Sequence, residues 1–351
     1  DRYFSTERIL AFLVFTGGLV KWYTSYQTSY SAWLYLSILY SILYMPTLAL
    51  SNSITFSHIE DGEKSFPKIR VWGTIGWIVA SWAFPMIWLQ QELSFQLMPP
   101  FISGPEVPNV TARLADALKF SGIISMMYGV FCFMLPHTPP KQDAVEKLAF
   151  KKAFELFNYS SFTVLVLASL AVSIIHQIYF LQTGPFLVHI GIKDSQIGPA
   201  MTIGQFAEIL TMAYLGYFLK RLGFKKVIFI GVLAYFARYA IFGTVMLPVW
   251  VMVLSQAFHG FCYAFFFAAA FIYVDKIADE DVRHSAQTVF GIIILGGGPV
   301  IGGWLSGKLQ EIYTTAGIFD YSGFWYTLSA IGLVTGLFFF LLFRNQLKDE
   351  T

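Results

Sequence analysis

Apolar runs of about twenty residues alternate along the chain with short polar or charged segments, and each run is long enough to cross roughly 30 Å of hydrocarbon as an α-helix. The pattern predicts ten spans, at about 9–27, 31–53, 70–91, 117–137, 160–183, 196–219, 227–247, 249–272, 286–307 and 322–343. One re-entry into the apolar phase stands out. After the charged segment holding Glu60, Asp61, Glu63 and Lys64, the run Ser65-Phe66-Pro67-Lys68-Ile69-Arg70-Val71-Trp72-Gly73-Thr74-Ile75-Gly76-Trp77 carries an arginine into the start of a span. At helical spacing Arg70, Thr74 and Trp77 share a face, so a cation, a hydroxyl and an indole line up to meet a polar, flat solute.

Composition supports the same class. Hydrophobic residues make up 56% of the 351 and charged ones only 13%, more apolar surface than a soluble core of that length could hide. The chain is read as an all-α polytopic membrane protein. Net charge is only +2, which gives no support to a nucleic-acid partner. The cations are spread unevenly, however. With loops assigned alternately to two sides, one set collects residues such as Arg8, Lys64, Arg70, Lys147, Lys220, Arg221, Lys225, Lys276, Arg283 and Arg344, and the other only Arg113, Lys119, Lys193 and Lys308. The positive-inside rule makes the first set cytoplasmic, together with both ends of the chain. Cys132 and Cys262 both fall inside spans, so neither a disulfide framework nor a cysteine metal site is expected.

A weak repeat suggests the organisation. The basic loop from Gly216 through Lys220, Arg221, Gly223, Lys225 and Lys226 resembles the segment Asp1–Arg8, and four spans follow each. A charged linker with Pro139-Pro140 separates the halves, giving bundles at 1–137 and 160–351 with the linker at 138–159. Two spans precede the second basic loop within its half and none precedes Asp1, so two upstream spans are inferred, for twelve in two six-span halves; the chain as given is not expected to transport by itself.

Paired six-helix halves with such loops resemble the major facilitator superfamily and its pattern Gly-x-x-x-Asp-Arg-x-Gly-Arg-Lys. Gly216, Arg221, Gly223 and Lys225 fit, and Lys220 departs from the usual acid. A closer resemblance rests on Tyr-Met-Pro-Thr-Leu (44–48), Asn52, Phe-Pro-x-Ile-Arg-x-Trp-Gly-Thr-Ile-Gly (66–76), Gln205-x-x-Glu208, His259-Gly260 and Arg283-x-Ser285-Ala286-Gln287. These are similar to the bacterial nucleoside:proton symporters of that superfamily, and the likeness runs from Asp1 to about Phe343. It implies a two-bundle fold and a nucleoside site formed by Arg70, Thr74 and Trp77 with Gln177, Gln205, Glu208, His259 and Tyr263. Three departures accompany it: Phe180 replaces a base-reading asparagine, His259 replaces a tyrosine, and Ala264 stands where the family usually carries an aspartate important for transport.

The same residues can be read without the resemblance. Gln205 and Glu208 lie three apart on one face of an apolar span. A carboxylate there is costly unless paired, solvated or protonated, which makes Glu208 a functional candidate, with a structural pairing to Arg238 or His176 as the bland alternative. Arg70 alone would read as a snorkelling anchor; Thr74 and Trp77 deeper on its face favour substrate contact. His259, with Tyr263 one turn on, could carry a proton, whereas Arg238 reads as internal pairing or packing. Gly296-Gly297-Gly298-Pro299 with Gly302-Gly303 lies within an apolar span, without a preceding strand, and reads as close helix packing or a hinge.

The expected function is secondary transport of a nucleoside by proton symport with alternating access. Glu208 is the proton carrier and His259 its understudy. The alternatives are a uniporter or symporter for another small polar solute, such as a nucleobase or sugar, and, from another class, a transporter-like sensor or membrane enzyme. No cofactor or metal is implied, reactive motifs for an enzyme are missing, a monomer is expected, and the location is a bacterial inner membrane.

Overall fold

A computed structural model describes residues 4–59, 62–97, 101–139, 155–278 and 283–346. Eight segments among them are long and apolar enough to cross a membrane. One of these, Asp194–Gly243, contains a continuous helical run, Ile197–Gly243, interrupted at Gly223. Gly223 has φ +75° and ψ 164°, a backbone region essentially closed to other residues, so the basic loop bends there and leaves two rods, α6 (197–222) and α7 (224–243). The other seven hold α2 (Tyr30–Ser57), α3 (Gly62–Phe84), α4 (Asp116–Phe131), α5 (Ser160–His189), α8 (Val249–Ile277), α9 (Ala286–Ile312) and α10 (Tyr321–Leu342), and α1 (Thr6–Thr24), which is not one of the eight, precedes them. The ten rods follow the predicted spans, with one informative offset: α3 starts at Gly62, ahead of the apolar run, so Arg70 lies two turns inside the helix.

The chain divides into two compact units, one of Asp1–Leu93 with Gly104–Val145, the other of Ser94–Ser103 with Glu146–Thr351. The predicted linker falls largely on 140–154, which with Asp1 and Arg2 lies outside the described residues.

In the N-terminal unit α1 packs against both α2 and α4 around Leu10, Ala11, Val14 and Cys132. The Ser125 hydroxyl donates to the Val14 carbonyl at 2.9 Å, fastening α4 to α1. Ser29 caps α2 by accepting from the Ala32 amide. The helix then runs through Pro46, and the hydroxyl of the next residue, Thr47, donates to the Tyr44 carbonyl at 2.6 Å. Ahead of the apolar stretch of α1, the buried Glu7 carboxylate accepts from the Thr138 amide at 3.0 Å and contacts His137 Nδ1 at 2.9 Å. Burial works against its charge, yet hydrogen bonds from Ser5, Thr138 and His137 outweigh it and hold Glu7 at about 2.

The C-terminal unit has a larger core. Trp325 of α10 is fully buried, with its ring centroid 5.5 Å from that of Phe186 in α5 and 5.0 Å from that of Phe242 in α7. α10 lies against α7, α9 against α5, and α8 against both α6 and α7. Two of the predicted packing glycines act as expected. Gly298 and Gly302 meet Ser173 and Gln177 of α5, and a Cβ on Gly302 would stand 2.8 Å from the Gln177 Cβ. The preceding Ile292–Gly297 is wound as a π-helix, and so is Cys262–Ala268 in α8, directly after His259. Such π-turns often accompany functional sites, because the extra residue re-aims side chains without ending the helix.

Candidate functional site

Five of the predicted site residues, Gln177, Gln205, Glu208, His259 and Tyr263, belong to the C-terminal unit, and the structure gathers several of them around a buried cation. Glycine makes this possible. Gly204 of α6 lies against His259, where a Cβ would stand 2.9 Å from the histidine Cβ, and Gly260 of α8 lies against the backbone of Ala207 and Glu208. With no side chain on either glycine, α6 and α8 approach closely enough for Glu208 Oε2 to lie 3.8 Å from His259 Nε2. That is ion-pair range and slightly beyond hydrogen-bond reach.

On its other edge the His259 ring meets Arg238 of α7, whose Nη1 lies 3.2 Å from Nδ1. Arg238 is completely buried. Its Nη2 donates to Gln256 Oε1, which also accepts from the Tyr179 hydroxyl at 2.9 Å, and its guanidinium carbon sits 3.7 Å from the centre of the Tyr179 ring. A cation so far from water needs this density of donors, acceptors and π-face to offset its desolvation. His176 of α5 stacks on His259 with centroids 5.6 Å apart and planes within 10°, and its Nδ1 is 2.8 Å from the Tyr235 hydroxyl. Tyr263 stacks on the same histidine at 6.5 Å.

Gln205 is buried, with its amide oxygen accepting no hydrogen bond from the described residues. Gln177 is half-buried and lies against Gly302. Phe180 leaves 40% of its surface exposed beside His176 and His259, so the position carries an aromatic edge in place of an amide. Ala264 is fully buried, which leaves no titratable side chain there.

Arg70, Thr74 and Trp77 belong to the N-terminal unit. Thr74 is half-buried and Trp77 is 39% exposed, one turn apart on α3 as the spacing predicted. The backbone of Arg70 lies in the same helix, and its side chain, like that of Arg283, lies outside the described residues. The unit also holds a cavity of about 190 Å³ between α1, α2 and α4, its polar wall formed by Tyr40, Tyr44, Thr47, Ser51, Ser125 and Tyr128.

Sequence reasoning missed Gln256 and Tyr179, and read Arg238 as internal pairing or packing without naming the partners it has here, Gln256, Tyr179 and His259. Gln256 stands three residues before His259, on its face of the helix. That spacing, the same as between Gln205 and Glu208, was the available signal. Glu208 faces His259, which in turn meets Arg238, a three-residue line from carboxylate through imidazole to guanidinium.

Comparison with known proteins places this arrangement. YegT of Escherichia coli (strain K12) is 32% identical over 363 residues, covering 100% of this chain and 81% of its own length. Nucleoside permease NupG of the same organism is 28% identical over 371 residues, covering 99% of the chain and 82% of the permease. The crystal structure of nucleoside transporter NupG superposes with a TM-score of 0.80 at 26% identity, over 99% of this chain and 85% of that one. The sugar transporter structure of XylE from E. coli, at 13% identity, shares the fold, with a TM-score of 0.59. These neighbours are transporters, not enzymes, and the fold is of the major facilitator type. Residues 1–348 match the family described as Nucleoside H+ symporter, and the chain therefore belongs to the nucleoside:proton symporter family.

Proposed function

We propose that the protein imports nucleosides across the bacterial inner membrane together with protons, by alternating access, with its ends on the cytoplasmic side. The observation that carries this reading is Glu208, a carboxylate with a side chain only 15% exposed, facing His259 at 3.8 Å in a predominantly apolar span. Charge in such a place opposes occlusion of the site; a proton on Glu208 removes that opposition, so solute and proton cross together. Gln205 supplies an amide acceptor, Gln177 and His259 polar edges, and Tyr263 a ring for stacking. In the N-terminal unit, Arg70 offers a donor fork, Thr74 a hydroxyl and Trp77 an indole face to such a solute. The uneven spread of Lys and Arg over the loops supports the orientation.

Uptake of labelled uridine, adenosine and xanthosine by proteoliposomes carrying a full-length form, with and without an imposed proton gradient, tests the proposal, and the variants below are read in the same form. Accumulation above equilibrium that requires the gradient is expected. Saturable uptake indifferent to the gradient would replace symport with uniport, a reading that the buried Ala264 favours. Absence of nucleoside uptake, with uptake of a nucleobase or sugar in its place, would overturn the substrate class.

A further inference from the structure

The contacts of Arg238 settle a question that residue type leaves open, namely which of two neighbouring titratable groups holds the proton. A guanidinium has only donors, so its Nη1 contact at 3.2 Å obliges His259 Nδ1 to accept with its lone pair. An imidazole that accepts at Nδ1 carries its single proton on Nε2, and Nε2 is the atom that faces Glu208 Oε2. A second proton on the ring would have to displace the arginine bond and would set an imidazolium against a fully buried cation. The groups that face the ring come from four helices. From α7 comes Arg238, held in place by Gln256 Oε1 and by the Tyr179 face. From α5 come His176, stacked at 5.6 Å, and Tyr179, at 5.8 Å. From α8 comes Tyr263, and from α6 comes Glu208, the one carboxylate that faces it among the described residues.

We propose that Arg238 is a positioning residue that locks His259 as the neutral Nε2–H tautomer aimed at Glu208, so that His259 orients the carboxylate and does not itself carry the transported proton. The expectation of His259 as a second proton carrier is thereby withdrawn. The transport consequence rests on the symport reading above; the state of the ring does not.

The test is nitrogen NMR of the purified protein in lipid, with histidine labelled in the ring and the His259 signals assigned by their loss in His259→Gln. Expected is one neutral form, bare at Nδ1 and protonated at Nε2, unchanged from about pH 8 to about pH 5, a window that brackets the ordinary imidazole value. A doubly protonated ring, or a proton on Nδ1, anywhere in that window overturns the proposal. In Arg238→Met the fixed form should give way to Nδ1-protonated or doubly protonated ring, and Arg238→Lys, which keeps a cationic donor, should restore part of it; an unchanged ring in Arg238→Met also overturns the proposal. Should that variant not fold, Gln256→Leu removes the acceptor that holds the guanidinium and is read in the same way. In proteoliposomes the pH profile of uptake should shift in Arg238→Met. If the unaltered protein shows no response to a proton gradient while its ring is in the expected form, the symport reading fails and the role of Arg238 at His259 stands.

Discussion

Replacing Gly260 by alanine adds one methyl group where α8 crosses α6. That methyl would meet the Ala207 carbonyl carbon at 2.5 Å and the Glu208 amide nitrogen at 2.8 Å, backbone atoms that no change of rotamer can move. Ordinary contact begins at 3.4 Å, so the two helices must part locally by about 0.9 Å, the difference between 3.4 and 2.5. Overpacking of this size costs about 1–3 kcal/mol, small enough for the helical bundle to survive. The consequence for transport is larger, because the backbone pushed away is that of Glu208 itself, and the carboxylate is only 3.8 Å from its partner. Misplacing a positioned group by about 1 Å lowers turnover by on the order of a hundredfold, so gradient-driven uptake by Gly260→Ala should fall between about tenfold and a hundredfold. Initial uptake rates in proteoliposomes, normalised to incorporated protein, measure the loss, and thermal unfolding in detergent measures the strain. Gly307→Ala is the control, since a Cβ there would meet open space. Equal uptake by the two variants would refute the idea that the tight crossing of α6 and α8 sets the geometry of the site.

Other consequences are as direct. Glu208→Gln should abolish accumulation driven by a proton gradient and leave downhill exchange measurable, because the amide keeps the shape and some hydrogen bonding without titrating; unchanged pH-dependent accumulation would remove Glu208 from the coupling step. Gly223→Ala forces a side chain into φ +75° and ψ 164° and should cost about 1–3 kcal/mol, read as a lowered thermal midpoint. Glu7→Gln should destabilise the protein at neutral pH, as judged by denaturant or heat. Since Glu7 is held at about 2, below the ordinary 4.5, its contribution is complete above 4.5 and fades as pH falls through about 2, so the gap between variant and unaltered protein should close over that window.

The spans were readable because a bilayer permits so few solutions. Twenty apolar residues must be helical, and even the proline at 46 does not change that, since α2 runs on through it. The bend at Gly223 was readable as a loop from Lys220, Arg221, Lys225 and Lys226, although its cause is a backbone angle that glycine permits and the letters do not announce. Gly298 and Gly302 proved to be packing glycines, while a Cβ on their neighbours Gly296, Gly297 and Gly303 would meet nothing within 4 Å, and no periodicity distinguishes the two kinds.

The site was readable in part, and the division has a physical basis. Gln205, Glu208 and His259 announce themselves as polar residues in apolar helices, because the cost of putting such a group in hydrocarbon is a property of the residue alone. What a polar residue does there depends on which atom of which neighbour it meets. Arg238 is equally costly and reads as internal pairing or packing, but its partners Gln256, Tyr179 and His259 lie on other helices, eighteen residues from it at the nearest hydrogen bond, and the letters do not name them. Only the register of α7 against α8 brings Nη1 to Nδ1 rather than to Nε2, and that choice of nitrogen decides whether the histidine can take up a proton or must hold still for one. On the proposed reading, in a chain with Ala264 at the position of an expected aspartate, coupling would fall on a carboxylate whose setting is fixed from two helices away. The buried cation is therefore better placed with the transport machinery than with the packing of the core.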